Sequence, residues 1–446
     1  MKTFFITSFH PHISRNILST DFLKILKAQN QLRLIIIVPD YKVDYFRANF
    51  GADNVIIEGI TPNLTSKTKT GVFFKRLGFF LFDTKTARSK KKYEYLCRGK
   101  YLIYAFSQFM GFLSRSFSIR KIVRYLDYYF SPKNLFNELF NKYKPEAIFS
   151  TDIQNENDIG LLHEAKRRKM LILGMLRSWD NTTQRILRIL PNKFFVGSQA
   201  LKEEVSQLYR YPEKKIIITG NPHYDRYLKG PSVSKEQFFA KFGLDPTQKM
   251  ILYAPLGNYL LRNNDVDQYI MEILGKIDAQ ILVRFPPDES VTLKNFIKPA
   301  NMAYDQPGVV FNSERFGDRE ISLDDDQRLI DAINWCDLAI TGPTSICLDA
   351  ALLDKPVIAV NFSPAPKNFC ESIFGYHCDH IKKLLGRGGV FYATDKNDFL
   401  RVIEEYLKNS EKDKEGRVKI RALWFSHADG RSAERLAREI IGAVKS

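Results

Sequence analysis

The stretch TGPTSICLDAALLDKPVIAV, residues 341–360, puts two hydroxyls and a carboxylate where they could hold a nucleotide. Leu338-Ala339-Ile340 is short and apolar, as a buried parallel strand requires, and Gly342-Pro343 breaks it. Ile346, Leu348, Ala350, Ala351 and Leu352 read as a buried helix that Asp354-Lys355-Pro356 stops, and 357–360 is a second apolar strand. Such a βαβ unit demands a parallel sheet. Thr344 and Ser345 then stand at a helix N-terminus, where unpaired N–H groups and the dipole favour an anion. Asp349 follows Ser345 by one turn, about 6 Å along the axis. It is too far away to join a phosphate but is placed to accept from a ribose diol. The same residues equally allow a plain N-cap and a solvated acid, and both readings stay open on this stretch alone.

The elements around this turn repeat its alternation. MKTFFITSFHPH opens with a strand; a helix near Asp21 to Gln29, a strand at 32–38, a helix at 43–50 and a strand at 54–57 follow. The pattern resumes with strands at 147–149, 171–175, 193–196 and 215–219, and helices at 158–168 and 201–209. GNPHYDRYLKGPSVS has the composition of a hinge. A second half then runs strand 250–253, strand 280–283, strand 309–311, the opening βαβ unit, and a final strand and helix in GGVFYATDKNDFLRVIEEYL. The fold class is α/β, with two doubly wound Rossmann-like domains facing a cleft and ligands expected at the carboxyl ends of the strands.

Composition narrows the partners. With 446 residues, 44% hydrophobic and 13% aromatic, the chain can fill two cores and is not disordered. Five scattered cysteines suit reduced thiols better than a disulfide framework. Phe4-Phe5-Ile6 is too short for a signal segment, and no run reaches the roughly eighteen apolar residues of a membrane span. The net charge is +17, and between Lys67 and Arg124 fifteen Lys/Arg stand against Asp83 and Glu94, interleaved with thirteen aromatics. That pattern predicts an amphipathic surface for anionic lipid, with Lys90, Lys91 and Lys92 supplying charge and Phe79 and Phe80 apolar contact. A solvated basic face is the plain alternative. Nucleic acid is the rival partner and is not expected, because no RNA-binding signature accompanies the charge.

The ordered set RSWDNTTQ, FFVGSQALKEEV, KIIITGNPHYDRY, ILYAPLG, LVRFPPDE, TGPTSICLDAALLDKPVIAV and HADGRSAERLAREI resembles bacterial GT-B glycosyltransferases of surface-polysaccharide biosynthesis. It is similar also to CDP-glycerol glycerophosphotransferases and to non-hydrolysing UDP-N-acetylglucosamine 2-epimerases. The resemblance covers roughly 145–446 and implies a GT-B fold. An amino-terminal acceptor domain spans 1–228 with a basic aromatic helical insert at about 64–130. A nucleotide-donor domain spans 229–418, and 419–446 supplies a helix that braces the amino domain. Gly342, Thr344 and Ser345 match the diphosphate-binding turn, Asp349 the acid on the ribose, Arg284 a basic residue facing donor phosphates, and Asn221 the interdomain turn. Relatives often carry His-Pro where this chain has Phe285-Pro286.

The implied chemistry needs a base for the acceptor hydroxyl and positive charge at the leaving nucleotide, and makes no metal or cofactor obligatory. Asp180, Asp152 and His10, each in or beside an amino-domain strand end, are the candidate bases, although an Asp after a strand is often an N-cap. Arg177 and Asn181 could position phosphate or sugar hydroxyls. Cys370, His377, Cys378 and His380 lack the paired spacing of a zinc site. The expectation is a nucleotide-sugar-dependent glycosyltransferase, peripheral at the cytoplasmic face of the cell membrane, acting on a lipid-linked or growing glycan. A 2-epimerase and a glycerophosphotransferase are the alternatives within the fold, and a basic nucleic-acid-binding protein is the outsider.

Overall fold

Runs of Ile, Leu, Val and Phe three to eight residues long form strands whose two faces are both buried, the signature of a parallel sheet covered by helices. The computed structural model describes residues 1–258, 261, 264–287, 290–311 and 319–445. It divides into two units, 1–225 with 426–446, and 226–425. In the first unit, β1 (Lys2–Thr7), β2 (Leu32–Pro39), β3 (Val55–Ile60), β4 (Ala147–Ser150), β5 (Leu171–Met175), β6 (Lys193–Val196) and β7 (Ile216–Ile218) pair in the order β3-β2-β1-β4-β5-β6-β7, all parallel. In the second, β8 (Met250–Tyr253), β9 (Gln280–Arg284), β10 (Met302–Asp305), β11 (Leu338–Thr341), β12 (Val357–Val360) and β13 (Phe391–Ala393) run β10-β9-β8-β11-β12-β13, again all parallel. The order reverses at β1/β4 and at β8/β11, the switch points where open α/β sheets leave a crevice.

One strand is misplaced by the sequence reading. The apolar run Val309-Val310-Phe311 is not a strand: Val309 makes only an isolated bridge to Glu320, and Val310 is exposed. The edge strand is β10, whose Asp305 falls in register with Arg284. An edge strand needs only one paired side, so its short, mixed sequence carries little apolar signal.

The chain returns to the first unit at Ser426. Helix Lys414–Trp424 stays on the second unit, where Arg417 is buried and its guanidinium reaches Asp354 at 2.9 Å and the carbonyls of Lys412 and Ser410 at 2.7 Å. The expected boundary at 418/419 therefore falls inside that helix. The last helix, Ser432–Lys445, joins the core of the first sheet through Leu436, Ala437 and Ile440, beside Phe22 and Leu26. Its orphan N–H groups at Ser432 and Ala433 donate to Asp225 at 3.0 and 2.8 Å. Gly220, at φ 80°, lets Ser432 approach so closely that a Cβ there would collide with it.

The insert between β3 and β4 holds helices Lys69–Phe80, Lys85–Glu94, Tyr101–Leu113 and Phe117–Phe130. Some of its charged groups are buried. Arg188, buried, donates to Asp127 of the insert at 2.7 and 2.8 Å and to Glu156 at 2.6 Å. Lys91 is not a surface charge. It is buried and its ammonium caps the carbonyls of Phe80 and Phe82 at 2.7 and 2.8 Å and of Ser107 at 3.3 Å, and burial pushes its pKa down to about 8. Phe80 is buried too, against Tyr95 and Phe106. The outward apolar groups instead include Phe73 on the first insert helix, Leu102 (86% exposed), Phe106, Phe109 and Phe112 (61% exposed) on the third, and Ile122, Tyr125, Tyr129 and Phe130 on the fourth.

Asp225→Ala removes two charge-assisted bonds at the start of the last helix, and each is worth roughly 1.5–3 kcal/mol. We expect a lowered unfolding midpoint and faster deuterium uptake over 432–445. Unchanged uptake there would show that the apolar face of the helix suffices to hold it.

Candidate functional site

In the first unit the groups that follow β1, β4 and β5 form one polar assembly. Thr7 ends β1 and Ser150 ends β4, and both hydroxyls donate to Asp158 Oδ2 at 2.6 Å. Thr151 completes the splice, its N–H donating to Thr7 Oγ1 at 3.1 Å and its hydroxyl to the Thr7 carbonyl at 2.7 Å. Burial, and after it the neighbouring Asp152 charge, push the Asp158 carboxyl up to about 7. Asp152 is 3% exposed. Its Oδ2 accepts from Arg177 Nη1 at 2.8 Å, while Oδ1 has no hydrogen-bond partner among the described residues.

His10 stands two residues beyond Ser8 and opens the turn Pro11–Ile13, which runs into a five-residue π-helix, Ser14–Leu18. Such π-segments are rare and favour functional positions. His10 Nδ1 accepts the His12 N–H at 3.2 Å, and the two imidazoles meet edge to face with centroids 4.7 Å apart. Burial, then the charges of Arg177, Lys42 and Arg15, hold the His10 pKa well below the usual imidazole range. The ring is therefore neutral near pH 7, and with Nδ1 accepting, its proton lies on Nε2. In this arrangement His10 is a hydrogen-bond donor, and Asp152 carries the open acceptor oxygen.

Asp180 goes elsewhere. Its Oδ2 accepts from Gln184 Nε2 at 2.6 Å, in a loop clasped by the insert: Thr84 donates to the Thr183 carbonyl at 2.5 Å and Lys90 to Gln184 Oε1 at 2.7 Å. Asn181, next in that loop, is buried with Oδ1 lacking a partner among the described residues. Asn221 Oδ1 accepts the His223 N–H at 3.2 Å and starts the turn Pro222–Asp225. The sequence reading missed Asp158, His12, Arg15 and Lys42. Their one signal is position, since each lies within eight residues of a strand's carboxyl end in an alternation already recognised.

In the second unit the expected turn forms between β11 and the helix Ile346–Leu352. Gly342 leaves room for the Leu256 side chain, whose tip would lie 1.9 Å from a Cβ there and would have to shift. Thr344 takes the capping role, its hydroxyl accepting from the Ile346 N–H at 3.3 Å and meeting Thr341 Oγ1 at 3.0 Å. Ser345 makes no capping bond with its side chain, and it is exposed. Asp349 is 3% exposed, so the hydroxyl at Ser345 and the carboxylate one turn later do not share an open surface. The loop before this turn hangs on Asp267, which accepts from the Tyr253 hydroxyl and the Leu256 N–H at 2.8 Å, the Gly257 N–H at 3.0 Å and Asn264 Nδ2 at 2.6 Å.

Arg284 does not face outward as expected. It is 7% exposed, is ion-paired to Asp305, and donates to the Asp325 carbonyl at 2.6 Å, in a network that Arg328 extends to Asp324 and Asp325. The cause is β10, which brings Asp305 opposite it. Of the cysteine and histidine group, Cys378 is buried and His377 Nε2 meets Ser372 Oγ at 3.0 Å.

A carboxyl whose folded pKa exceeds its unfolded value binds more protons folded than unfolded between the two. The Asp158 contribution is therefore most favourable below pH 3.8, falls as pH rises to about 7, and is flat beyond. Asp158→Asn keeps an acceptor for Thr7 and Ser150, so it should remove this decline, worth about 1.4 kcal/mol for each pH unit that separates the folded from the unfolded pKa. Denaturant midpoints of the two proteins at pH 4, 5.5, 7 and 8 check it. Parallel profiles would mean that Asp158 is charged throughout.

Comparison with known proteins adds the following. The sequence profile described as CDP-glycerol:poly(glycerophosphate) glycerophosphotransferase matches residues 173–442. The chain is 27% identical over 185 residues to a lipid-A-disaccharide synthase of Solibacter usitatus, covering 42% of this chain and 41% of that protein. It is 22% identical over 255 residues to a teichoic acid poly(ribitol-phosphate) polymerase of Bacillus spizizenii, covering 56% and 37%. The chain thus spans less than half the length of these curated relatives. The fold is like that of a UDP-GlcNAc 2-epimerase from Neisseria meningitidis solved with UDP-GlcNAc, with a TM-score of 0.57 at 12% identity over 99% of this chain and 100% of that one.

Proposed function

We propose that this chain, which belongs to the CDP-glycerol:poly(glycerophosphate) glycerophosphotransferase family, transfers an alditol phosphate from a nucleotide donor to a hydroxyl of a growing surface polymer. The family match carries this reading, because it runs through both the RSWDNTTQ loop and the Gly342–Ser345 turn. Transfer of a sugar is the second reading, favoured by the likeness to a lipid-A-disaccharide synthase. The epimerase alternative has support from fold alone.

The roles follow from the geometry of each unit. Asp152 Oδ1, held in place through its partner oxygen by Arg177, takes the proton of the acceptor hydroxyl. The alkoxide oxygen forms a bond to the donor phosphorus while the bond to the nucleoside monophosphate breaks. His10 Nε2–H and the charges of Lys42, Arg15 and Arg177 stabilise the negative charge that develops. Ser345 and the N–H groups beside it hold the donor's phosphates, while Asp349, buried behind the turn, does not reach the ligand. Arg284 acts by anchoring the segment after β9 through Asp305.

Release of nucleotide from CDP-glycerol, CDP-ribitol and UDP- and CMP-sugars, with and without a polymer acceptor, tests the activity. Asp152→Asn should lower turnover by about 10²–10⁴-fold with donor affinity within a factor of two, the pattern of a group acting in the transition state. Ser345→Ala should weaken donor binding about tenfold or more, as loss of a bond to a charged phosphate does, with the fold intact. Asp152→Asn at full turnover would displace the base, and unchanged donor affinity in Ser345→Ala would displace the phosphate turn.

The acceptor side rests on the insert. No helix among the described residues is long and apolar enough to cross a membrane. The outward Leu102, Phe106, Phe109 and Phe112, at helical spacing and near exposed Arg98, Lys100 and Lys121, suit docking in the interface of an anionic bilayer at the cytoplasmic face. Lys100→Glu with Lys121→Glu should reduce co-sedimentation with phosphatidylglycerol vesicles at low salt. Phe109→Ser with Phe112→Ser should reduce what remains bound at high salt. Vesicle binding indifferent to both pairs would mean that the lipid-facing surface lies elsewhere.

A further inference from the structure

The second unit holds a cavity of about 530 Å³ that the turn after β11 does not use. It is walled by the segments after β8, β9 and β12 and by one face of the helix Val266–Leu274, so it opens at the carboxyl-end rim of the sheet, where open α/β folds take ligands. Its walls are pinned to one another. Asn258 Nδ2 donates to Ser290 Oγ at 2.8 Å and Thr292 Oγ1 at 3.0 Å, and Gln268 grips the Lys294 backbone, accepting its N–H at 2.7 Å and donating to its carbonyl at 3.2 Å. The walls therefore stand ready before any ligand arrives.

The lining specifies the ligand. With the Asn258 amide nitrogen committed to two hydroxyls, Oδ1 is left as a buried acceptor without a partner among the described residues. Asp265 and Glu272 add exposed carboxylates on the same wall, Lys294 is the one cation of the described lining, and Asn264, Gln268 and Thr292 are neutral hydrogen-bonding groups. Lys367 pairs with Asp265, which leaves Glu272 against Lys294, so the described lining has no net charge with which to hold a phosphate or an ammonium group. Tyr269, braced edge-on by Phe362 with centroids 6.1 Å apart, offers a ring to a C–H face. We propose that this cavity binds an uncharged polyhydroxylated molecule, a sugar or alditol unit, through O–H donation to Asn258 Oδ1, Asp265 and Glu272. This site is separate from the phosphate-holding turn and independent of which group the protein transfers.

Saturation-transfer NMR on the full chain with ribitol, glycerol, glucose and N-acetylglucosamine tests this, with glucose 6-phosphate and glucosamine as charged counterparts. Two variants alter exposed side chains of the wall: Glu272→Ala removes an acceptor, and Thr292→Trp fills the space. Saturable binding of at least one neutral polyol, weakened tenfold or more in both variants, is the expected result. Absence of saturable binding, binding indifferent to both variants, or a charged counterpart bound more tightly than glucose would each overturn the proposal. Titration of CDP and UDP on the same samples reads the nucleotide turn separately. If nucleotides bind equally to all three proteins while the polyol signal is lost in the variants, the two sites are distinct. If nucleotides bind to none and the polyol signal behaves as expected, the transferase reading fails and the polyol site stands.

Discussion

Each sheet is apolar on both faces, so the loops at its carboxyl edge have little hydrophobic surface with which to hold themselves in place. A buried carboxylate does that work in both units. Asp158 joins the ends of β1 and β4 through Thr7 and Ser150, and Asp267 gathers the Tyr253 hydroxyl, two backbone N–H groups and Asn264 after β8. A buried acid costs desolvation, and it stabilises a structure only when its oxygens are fully used. Both acids are raised from the ordinary carboxylate range by burial, so their cost is real and is offset by the bonds they collect. The functional groups hang from these anchors. Asp152 lies two residues beyond Ser150, and Leu256, held by Asp267, packs against Gly342 of the turn after β11.

The insert buries some of its charged groups and exposes a row of apolar ones. Lys91 and Asp127 are inside, bonded to backbone carbonyls and to Arg188 of the segment after β5, while Leu102, Phe106, Phe109 and Phe112 face outward. Burying a lysine among carbonyls lowers its pKa, and exposing a row of aromatics forfeits hydrophobic stabilisation that a water-facing helix would normally keep. A fold that accepts both costs has a use for the outer face. The polar interior then acts as a rigid mount, since the Arg188 fork to Asp127 and Glu156 ties the insert to the helix that begins at the carboxyl end of β4. This connects the outward apolar face with the region that holds Asp152.

Closure of the first unit relies on residues far apart in sequence. The last helix contributes a row of apolar side chains to the same core as β1 and β2, and Asp225 satisfies its first N–H groups. Because the core of the first unit is completed only when the end of the chain returns, the boundary between units falls after helix Lys414–Trp424, whose Arg417 is committed to Asp354 and two carbonyls.

The sequence alone determined the α/β alternation, the two doubly wound units, the strands at 171–175, 193–196, 250–253 and 357–360 to the residue, and the Gly342 turn. These are legible because an apolar run with both faces buried, or a glycine at a close approach, leaves a local signal. Tertiary structure decided the rest. The edge strand β10 is set by its pairing with β9, and that pairing turned Arg284 from an expected phosphate contact into the partner of Asp305. Whether Lys91 or Phe80 faces water depends on which helix covers it, and neighbouring lysines and phenylalanines look alike in one dimension. The same holds for His10, Asp152 and Asp180, three titratable residues near strand ends. Hydrogen bonds to Arg177, to the His12 backbone and to Gln184 left one with an open acceptor, one with a donor proton and one with a place in the clasp of the insert. Burial and partnership are properties of the packed chain, and they, more than residue type, set which oxygen or nitrogen is left to act.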